Sequence, residues 1–263
     1  MVKLTLLTAA YNSAATIGDT LRSVEAQDYP EIEHIIIDGL SKDDTLDVVK
    51  REGRRVAKVV SEKDKGIYDA YNKGIALASG EIIGFLNSDD FYASNDVISQ
   101  VMAAFEDPNV DAVHADLVYV KQDNTSQITR YWKSRPSTPD LIAKGFHPAH
   151  PTLFLRRSVY ETAGVFDQSY KIAADVEFMM RIFYKYRIKD VYIPRIWVRM
   201  RAGGATGGNA ASIKRQNDEV RRAQAELGIS YPTSKFYIHK VIDRSLQRVR
   251  APFVKMPLAG AAK

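Results

Sequence analysis

The chain has 263 residues, 45% of them hydrophobic, a net charge of +5 and no cysteine. That is enough for one large domain with an appendage, and it excludes a disulfide framework, a thiol nucleophile and a cysteine-bound metal. The positive excess lies in residues 235–263, where seven basic residues face Asp243 alone, so the body is near neutral and lacks the basic stripe of a nucleic-acid-binding protein.

In chain order, short apolar runs alternate with helical patterns. Strands are predicted at Leu4–Thr8, Ile32–Ile37, Val56–Val60 and Ile82–Leu86, and helices at Ala15–Gln27, Asp43–Glu52 and Gly66–Ala78. Strand–helix alternation with short turns predicts an α/β fold: a mostly parallel sheet covered by helices on both faces. The opening run MVKLTLLTAAYN is too short and wrongly flanked for a signal peptide, and no apolar span is long enough to cross a membrane.

Beyond residue 109 the pattern changes. Strands are expected at Val110–Val120, Gln127–Trp132 and Thr152–Leu155, a short helix at Ser158–Gly164, and a longer helix over residues 171–186 with Phe178, Ile182 and Phe183 inward. GGATGGN (203–209) reads as a glycine-rich lid loop, and a helical tail follows. In that tail Lys240, Arg244 and Arg248 recur every fourth residue, while Ile238, Val241, Ile242 and Val249 form another face, as in a helix lying on an anionic membrane.

Ligands of parallel sheets sit beyond the carboxyl ends of the strands. Here those ends collect polar and acidic residues: Thr8 to Asn12, Asp38 to Asp44, Ser61 to Asp64, and Asn87-Ser88-Asp89-Asp90. Neither GxGxxG after the first strand nor GxxxxGK[ST] is present, so phosphates need another holder. A divalent cation, Mg²⁺ or Mn²⁺, on carboxylates serves that purpose. Asp89 and Asp90 end an apolar strand and are its expected ligands.

Five blocks in order resemble the inverting nucleotide-sugar glycosyltransferases of family 2, which have the GT-A fold: TAAYN, IIIDGLSKDDT (35–45), SEKDKGIYDAYNKG (61–74), FLNSDD (85–90) and HPTLFLRRSVYETAGVFDQSYKIAADVEFMMR (150–181). The third and fifth look most like bacterial members that assemble exopolysaccharide or glycolipid. The resemblance implies that Asp38 recognises the nucleotide base beside Thr8 and Tyr11, with Asp64 and Asn72 in a second nucleotide-side block. It also implies that Asp89 is the metal-binding end of a DxD motif whose first acid is Asn87 here. Asp175 resembles the general base, with Ala174 where the family often has glutamate and with Glu177 as substitute or helper. His150 is an acceptor-side residue.

The implied organisation is a GT-A domain over residues 1–210, donor-binding in 1–110 and acceptor-binding in 111–210, with a helical basic tail over 211–263. The implied partners are a nucleoside-diphosphate sugar of UDP, GDP or dTDP type, a saccharide or lipid-linked acceptor, and an anionic membrane, with room for a homodimer. The expected location is cytoplasmic and peripheral on the inner face of the cell membrane. The competing reading is a non-catalytic sugar-nucleotide or glycan-binding module on the same fold; the pairing of Asp89 with Asp175 favours the enzyme.

Overall fold

The computed structural model describes residues 1–203 and 210–254. The first half runs β1 (Leu4–Ala10), α1 (Ile17–Glu25), β2 (Ile32–Asp38), α2 (Thr45–Glu52), β3 (Val56–Ser61), α3 (Ile67–Leu77), β4 (Ile82–Phe85), β5 (Phe91–Tyr92) and α4 (Val97–Ala104). The second runs β6 (Ala112–Val120), β7 (Ile128–Trp132), α5 (Pro139–Ala143), β8 (Phe154–Arg156), α6 (Arg157–Ala163), α7 (Ala174–Met180), β9 (Asp190–Arg201), α8 (Ala210–Glu226) and α9 (Thr233–Arg250). One nine-stranded sheet has the order β3-β2-β1-β4-β8-β6-β9-β5, and β7 hangs on β6. The first four strands pair in parallel, as expected from strand–helix alternation, while β8 runs antiparallel between β4 and β6.

Alternate residues of the central strands feed two cores. Leu7, Ile83 and Phe85 join Tyr71, Phe166 and Phe178 on one face, whereas Leu4, Leu6 and Ile82 join Val97, Val101 and Trp197 on the other. Double-sided burial explains why these strands read as unbroken apolar runs. β3 is the exception. It is an edge strand, largely exposed, where the apolar run predicted burial on both faces. Gly84 permits the β4–β8 crossing, because a Cβ there would lie 2.3 Å from the Phe154 ring.

The helix expected over 171–186 is α7 followed by a π-helical turn at Arg181–Lys185, and Phe178, Ile182 and Phe183 are buried as expected. β9 was not expected, since Pro194 breaks the pattern of a central strand. The ladder absorbs it: Ile193 pairs with Ala115, Ile196 with Asp116 and Val198 with Leu117, so Pro194 and Arg195 bulge outward. Of the glycine-rich stretch assigned to a lid, residues 204–209 lie outside the described residues.

The C-terminal helices dock on the body. Phe236 is buried beneath Gly145, and Gln247 is buried against β7 through Arg130. α9 turns its basic side toward the sheet and leaves Ile238, Val241, Ile242 and Val249 51–66% exposed. Among the described residues no helix is long and apolar enough to cross a membrane.

Candidate active site

The rim beyond the parallel strand ends is built by loops that tie one another down. Asn12 adopts φ +48°, a left-handed conformation that asparagine tolerates. Its amide N–H donates to Ser41 Oγ at 2.8 Å, and its side-chain carbonyl accepts from the Lys42 N–H at 2.8 Å. Ser13 Oγ meets Ser88 Oγ at 2.8 Å, joining the β1 loop to the Asp89-Asp90 turn.

Asp38 ends β2 with its side chain buried. It accepts from the Ser41 N–H (3.1 Å) and the hydroxyls of Ser41 and Ser61 (2.6 Å for Ser61). Tyr11 is 63% exposed and lies against Gly39, as does the Asp64 carboxylate, which also accepts from the Gly66 N–H at 2.9 Å. A Cβ on Gly39 would stand 2.6 Å from Asp64 Oδ2 and 3.3 Å from the Tyr11 ring. Tyr11, Gly39 and Asp64 thus converge from three strand ends into a notch whose floor must lack a side chain.

Two residues expected in this notch are engaged elsewhere. Thr8 is fully buried and its hydroxyl bonds His34 Nε2 at 3.0 Å. Asn72 spends both ends of its amide on Phe166, donating to the carbonyl at 2.8 Å and accepting from the N–H at 3.0 Å. It ties α3 to the loop before α7.

The two carboxylates at the end of β4 differ sharply. Asp90 is wholly buried and accepts from the Arg201 N–H at 3.2 Å and the Asn87 amide at 2.8 Å. Burial and the charge of Asp89 hold its carboxyl well above the usual carboxylate range. Asp89 is half-buried, its carboxyl raised by desolvation, and its carboxylate takes a hydrogen bond from no other described residue. An unspent, partly desolvated carboxylate beside a second one fits a divalent cation, for which one or two carboxylates plus substrate phosphates suffice. Among the described residues no cluster of three acids or histidines forms a complete metal cage. Asp90, with both oxygens engaged, fixes the turn that carries Asp89.

Sequence reasoning missed Arg201. It is 6% exposed, donates to the Asp89 carbonyl at 2.6 Å and to the Asp19 carboxylate of α1, and lies over the Phe91 ring at 5.1 Å. Its only signal is the second arginine of RMRAGG (199–204).

Asp175 lies in the first turn of α7. Tyr68 donates to its Oδ1 at 2.9 Å and to the Ile172 carbonyl at 2.8 Å, a bond no motif announced. The start of α7 is held by Glu219 of α8, which accepts from the N–H groups of Lys171, Ile172 and Ala173 at 2.9–3.1 Å. Glu177, expected as a helper base, forms a two-point ion pair with Arg181 at 2.8 and 2.9 Å instead. Arg181 in turn holds the Ala163 and Val165 carbonyls, so Glu177 braces the loop after α6.

His150 packs among Phe85, Tyr71 and Phe166, with ring centres 5.0–5.6 Å away. Burial lowers its proton affinity and the nearby Asp175 partly restores it. Tyr71 donates to Asn87 Oδ1, and its hydroxyl is pushed upward by burial and by the charges of Asp175, Asp90 and Asp89. Tyr71 is thus within electrostatic reach of both the acidic pair and Asp175.

Residues 5–164 match the family model described as Glycosyl transferase family 2. The chain belongs to that family, and its GT-A fold and transferase class follow. It is 33% identical over 178 residues to the uncharacterized glycosyltransferase Rv1514c of Mycobacterium tuberculosis, a match covering 67% of each chain. Among solved structures it resembles S. aureus TarS 1–349 in complex with UDP-GlcNAc (TM-score 0.67, 20% identity, 97% of this chain and 76% of that one). It also resembles the mannosyltransferase PcManGT from Pyrobaculum calidifontis in complex with GDP-Man and Mn²⁺ (TM-score 0.64, 19% identity, 96% of this chain and 71% of that one).

Proposed function

We propose that this glycosyltransferase moves a sugar from a nucleoside-diphosphate sugar to a hydroxyl of a saccharide or lipid-linked acceptor, with inversion and cation assistance, in cell-surface polysaccharide or glycolipid synthesis. The observation that carries the reading is the pairing of an unspent carboxylate, Asp89, with a second carboxylate, Asp175, across the Tyr71–Asn87 contact. TarS and PcManGT, solved with UDP-GlcNAc and with GDP-Man and Mn²⁺, support a nucleotide-sugar donor and a divalent cation, while leaving the base and the sugar open.

Residues 1–110 receive the donor. Tyr11 offers a face for the base over the Gly39 floor, with Asp38 and Asp64 as hydrogen-bond acceptors. Asp89, supported by Asp90, holds the Mg²⁺ or Mn²⁺; when bound, that ion supplies Lewis-acid neutralisation of the leaving diphosphate. Residues 111–210 receive the acceptor. Tyr68 fixes Asp175 Oδ1, which leaves Oδ2 to take the proton of the acceptor hydroxyl. The acceptor oxygen then bonds to the anomeric carbon as the bond to the diphosphate oxygen breaks on the opposite face. His150 shapes the acceptor side in a neutral state. Residues 211–263 form the tail, and the exposed apolar stripe of α9, flanked by Lys235, Arg248 and Arg250, suits the surface of an anionic membrane.

A thermal-shift screen of UDP-, GDP- and dTDP-sugars with Mn²⁺ or Mg²⁺ identifies the donor. With that donor, Asp175→Asn should lower turnover by at least about 10²-fold, the size of a general-base effect, while donor affinity stays within twofold. Surviving turnover removes Asp175 from the role of base.

A further inference from the structure

Helix α9 docks on β7 by the face that an amphipathic sequence would give to water. Lys240 and Arg244 are half-buried on the sheet side, whereas Ile238, Val241, Ile242 and Val249 stay exposed. Apolar burial alone would dock such a helix the other way round. The surface it meets is also basic. Arg130 of β7 is half-buried, with its guanidinium 4.7 Å from the Tyr119 ring centre and 5.1 Å from that of Trp132, and its Nε donates to Gln247 at 2.5 Å.

Among the described residues Arg130, Lys240, Arg244 and Arg248 make no ion pair. Asp243, the one acid on α9, is engaged by Arg135 at 3.2 Å and by the Gln247 amide at 2.5 Å. Lys240 donates to the neutral Asn217 at 2.5 Å. The cations repel one another. Burial, then the charges of Arg244 and Arg130, bring the Lys240 ammonium down to about 8, and burial lowers Arg130 and Arg244 as well. Of the described residues, Asp243 is the one acid whose charge reaches Arg130 and Arg244, and it is shared with Arg135. Like charges four residues apart oppose helix formation, and partly desolvated cations in excess of their counter-charge oppose folding. An anion in their midst reverses both effects.

The cluster adjoins the transfer site. Tyr119, beneath the Arg130 guanidinium, also feels the charges of Asp90 and Asp175. His147, 5.4 Å from the Trp132 ring, feels both Asp175 and Lys240. His147, within reach of the Asp175 charge, lies beside Trp132, whose ring Arg130 covers, so the basic cluster and Asp175 share neighbours.

We propose that Arg130, Lys240 and Arg244, with Arg248 at the outer edge, bind the phosphate or diphosphate ester of the acceptor while its hydroxyl lies at Asp175. This rests on the reading of the chain as a transferase with Asp175 as base. It narrows the acceptor class from any saccharide to one joined to a phosphate ester. The apolar stripe on the far side of α9 would then meet the same bilayer that carries a lipid-linked acceptor.

The test titrates the full chain with inorganic pyrophosphate in EDTA, which removes cation-assisted binding at Asp89, and follows tryptophan fluorescence, in which Trp132 beside Arg130 changes and the fully buried Trp197 supplies a constant background. Saturable binding that weakens with salt and falls at least tenfold in Arg244→Gln is expected. Arg244 makes no hydrogen bond to a described residue, and glutamine keeps the first part of its half-buried stem; Arg130→Gln gives a second reading of the same site. UDP affinity measured with Mn²⁺ should be unchanged in both. Pyrophosphate affinity unaltered by both substitutions overturns the proposal, and so does an equal loss of UDP affinity, which would assign the cluster to the donor. Vesicles of phosphatidylglycerol and phosphatidylcholine separate the remaining source. If the variants lose vesicle binding but keep pyrophosphate, the cluster is a headgroup site and the proposal fails. A failure of Asp175→Asn to lower turnover, with pyrophosphate binding intact, would instead refute the assignment of the base.

Discussion

Replacing Arg201 with methionine tests both the architecture of the acidic rim and its fit for a cation. The methionine keeps most of the stem volume and removes the guanidinium, with its charge and its contact over the Phe91 ring. The guanidinium's bond to the Asp89 carbonyl at 2.6 Å is lost, leaving a partly buried acceptor unpaired, a loss of about 1–3 kcal/mol. Its pair with Asp19 adds less than about 1 kcal/mol, because Asp19 is 42% exposed and keeps Arg22 as a partner. The Asp89–Asp90 pair loses its nearby positive charge, and both carboxyls, already raised, are driven further up. Together these give a destabilisation of about 3 kcal/mol, read as the shift in free energy of urea unfolding in EDTA. With saturating Mn²⁺ and the donor nucleotide the deficit should shrink, since a cation at Asp89 replaces the missing charge and no longer competes with Arg201. A loss below about 0.5 kcal/mol in EDTA would refute the structural account of Arg201. An identical loss with and without Mn²⁺ would refute the placement of the cation.

The remaining expectations concern the core. His34 is fully buried against Thr8, and burial holds it down to about 4, below the usual 6.5. A lowered histidine stabilises the fold above its unfolded value and loses that contribution as pH falls, so unfolding between pH 7.5 and 5 should become easier by about 2 kcal/mol. His34→Gln should flatten that slope, and an unchanged pH dependence would show that His34 is not its source. Asn72→Ala should lower stability by about 1–3 kcal/mol through the two orphaned Phe166 backbone groups, with donor affinity in the calorimeter unaltered. A selective loss of donor affinity would return Asn72 to the nucleotide site.

The first half was readable because β1, β2 and β4 are buried on both faces and its strands end in turn-forming polar residues at regular intervals; Asp38, Asp64 and Asp89 are at the rim where that rule put them. The contacts that the sequence did not announce share one physical cause. Thr8, Asn72 and Glu177 lie within the family's blocks, but a side chain's partner depends on tertiary neighbours, and theirs are His34, Phe166 and Arg181. Arg201 escaped because Pro194 disguised β9. The orientation of α9 escaped because periodicity separates two faces of a helix without saying which one faces the body; Arg130 and Gln247, more than a hundred residues apart, decide that.

Two register shifts in β9, one at Pro194-Arg195 and one at Trp197, set the phase of the strand beyond them. Ala115 pairs with Ile193 and Val120 with Arg201, so five steps along β6 correspond to eight along β9. An unbroken ladder would bring Val198 opposite Val120, an aliphatic side chain where the acidic turn now finds a guanidinium. Three surplus residues are an odd number, so restoring regularity would also exchange the inward and outward faces of everything downstream. The proline that hides the strand from a sequence reader is therefore part of the spacer that sets the charge at the rim, and length changes at 194–195 should be among the least tolerated in the chain.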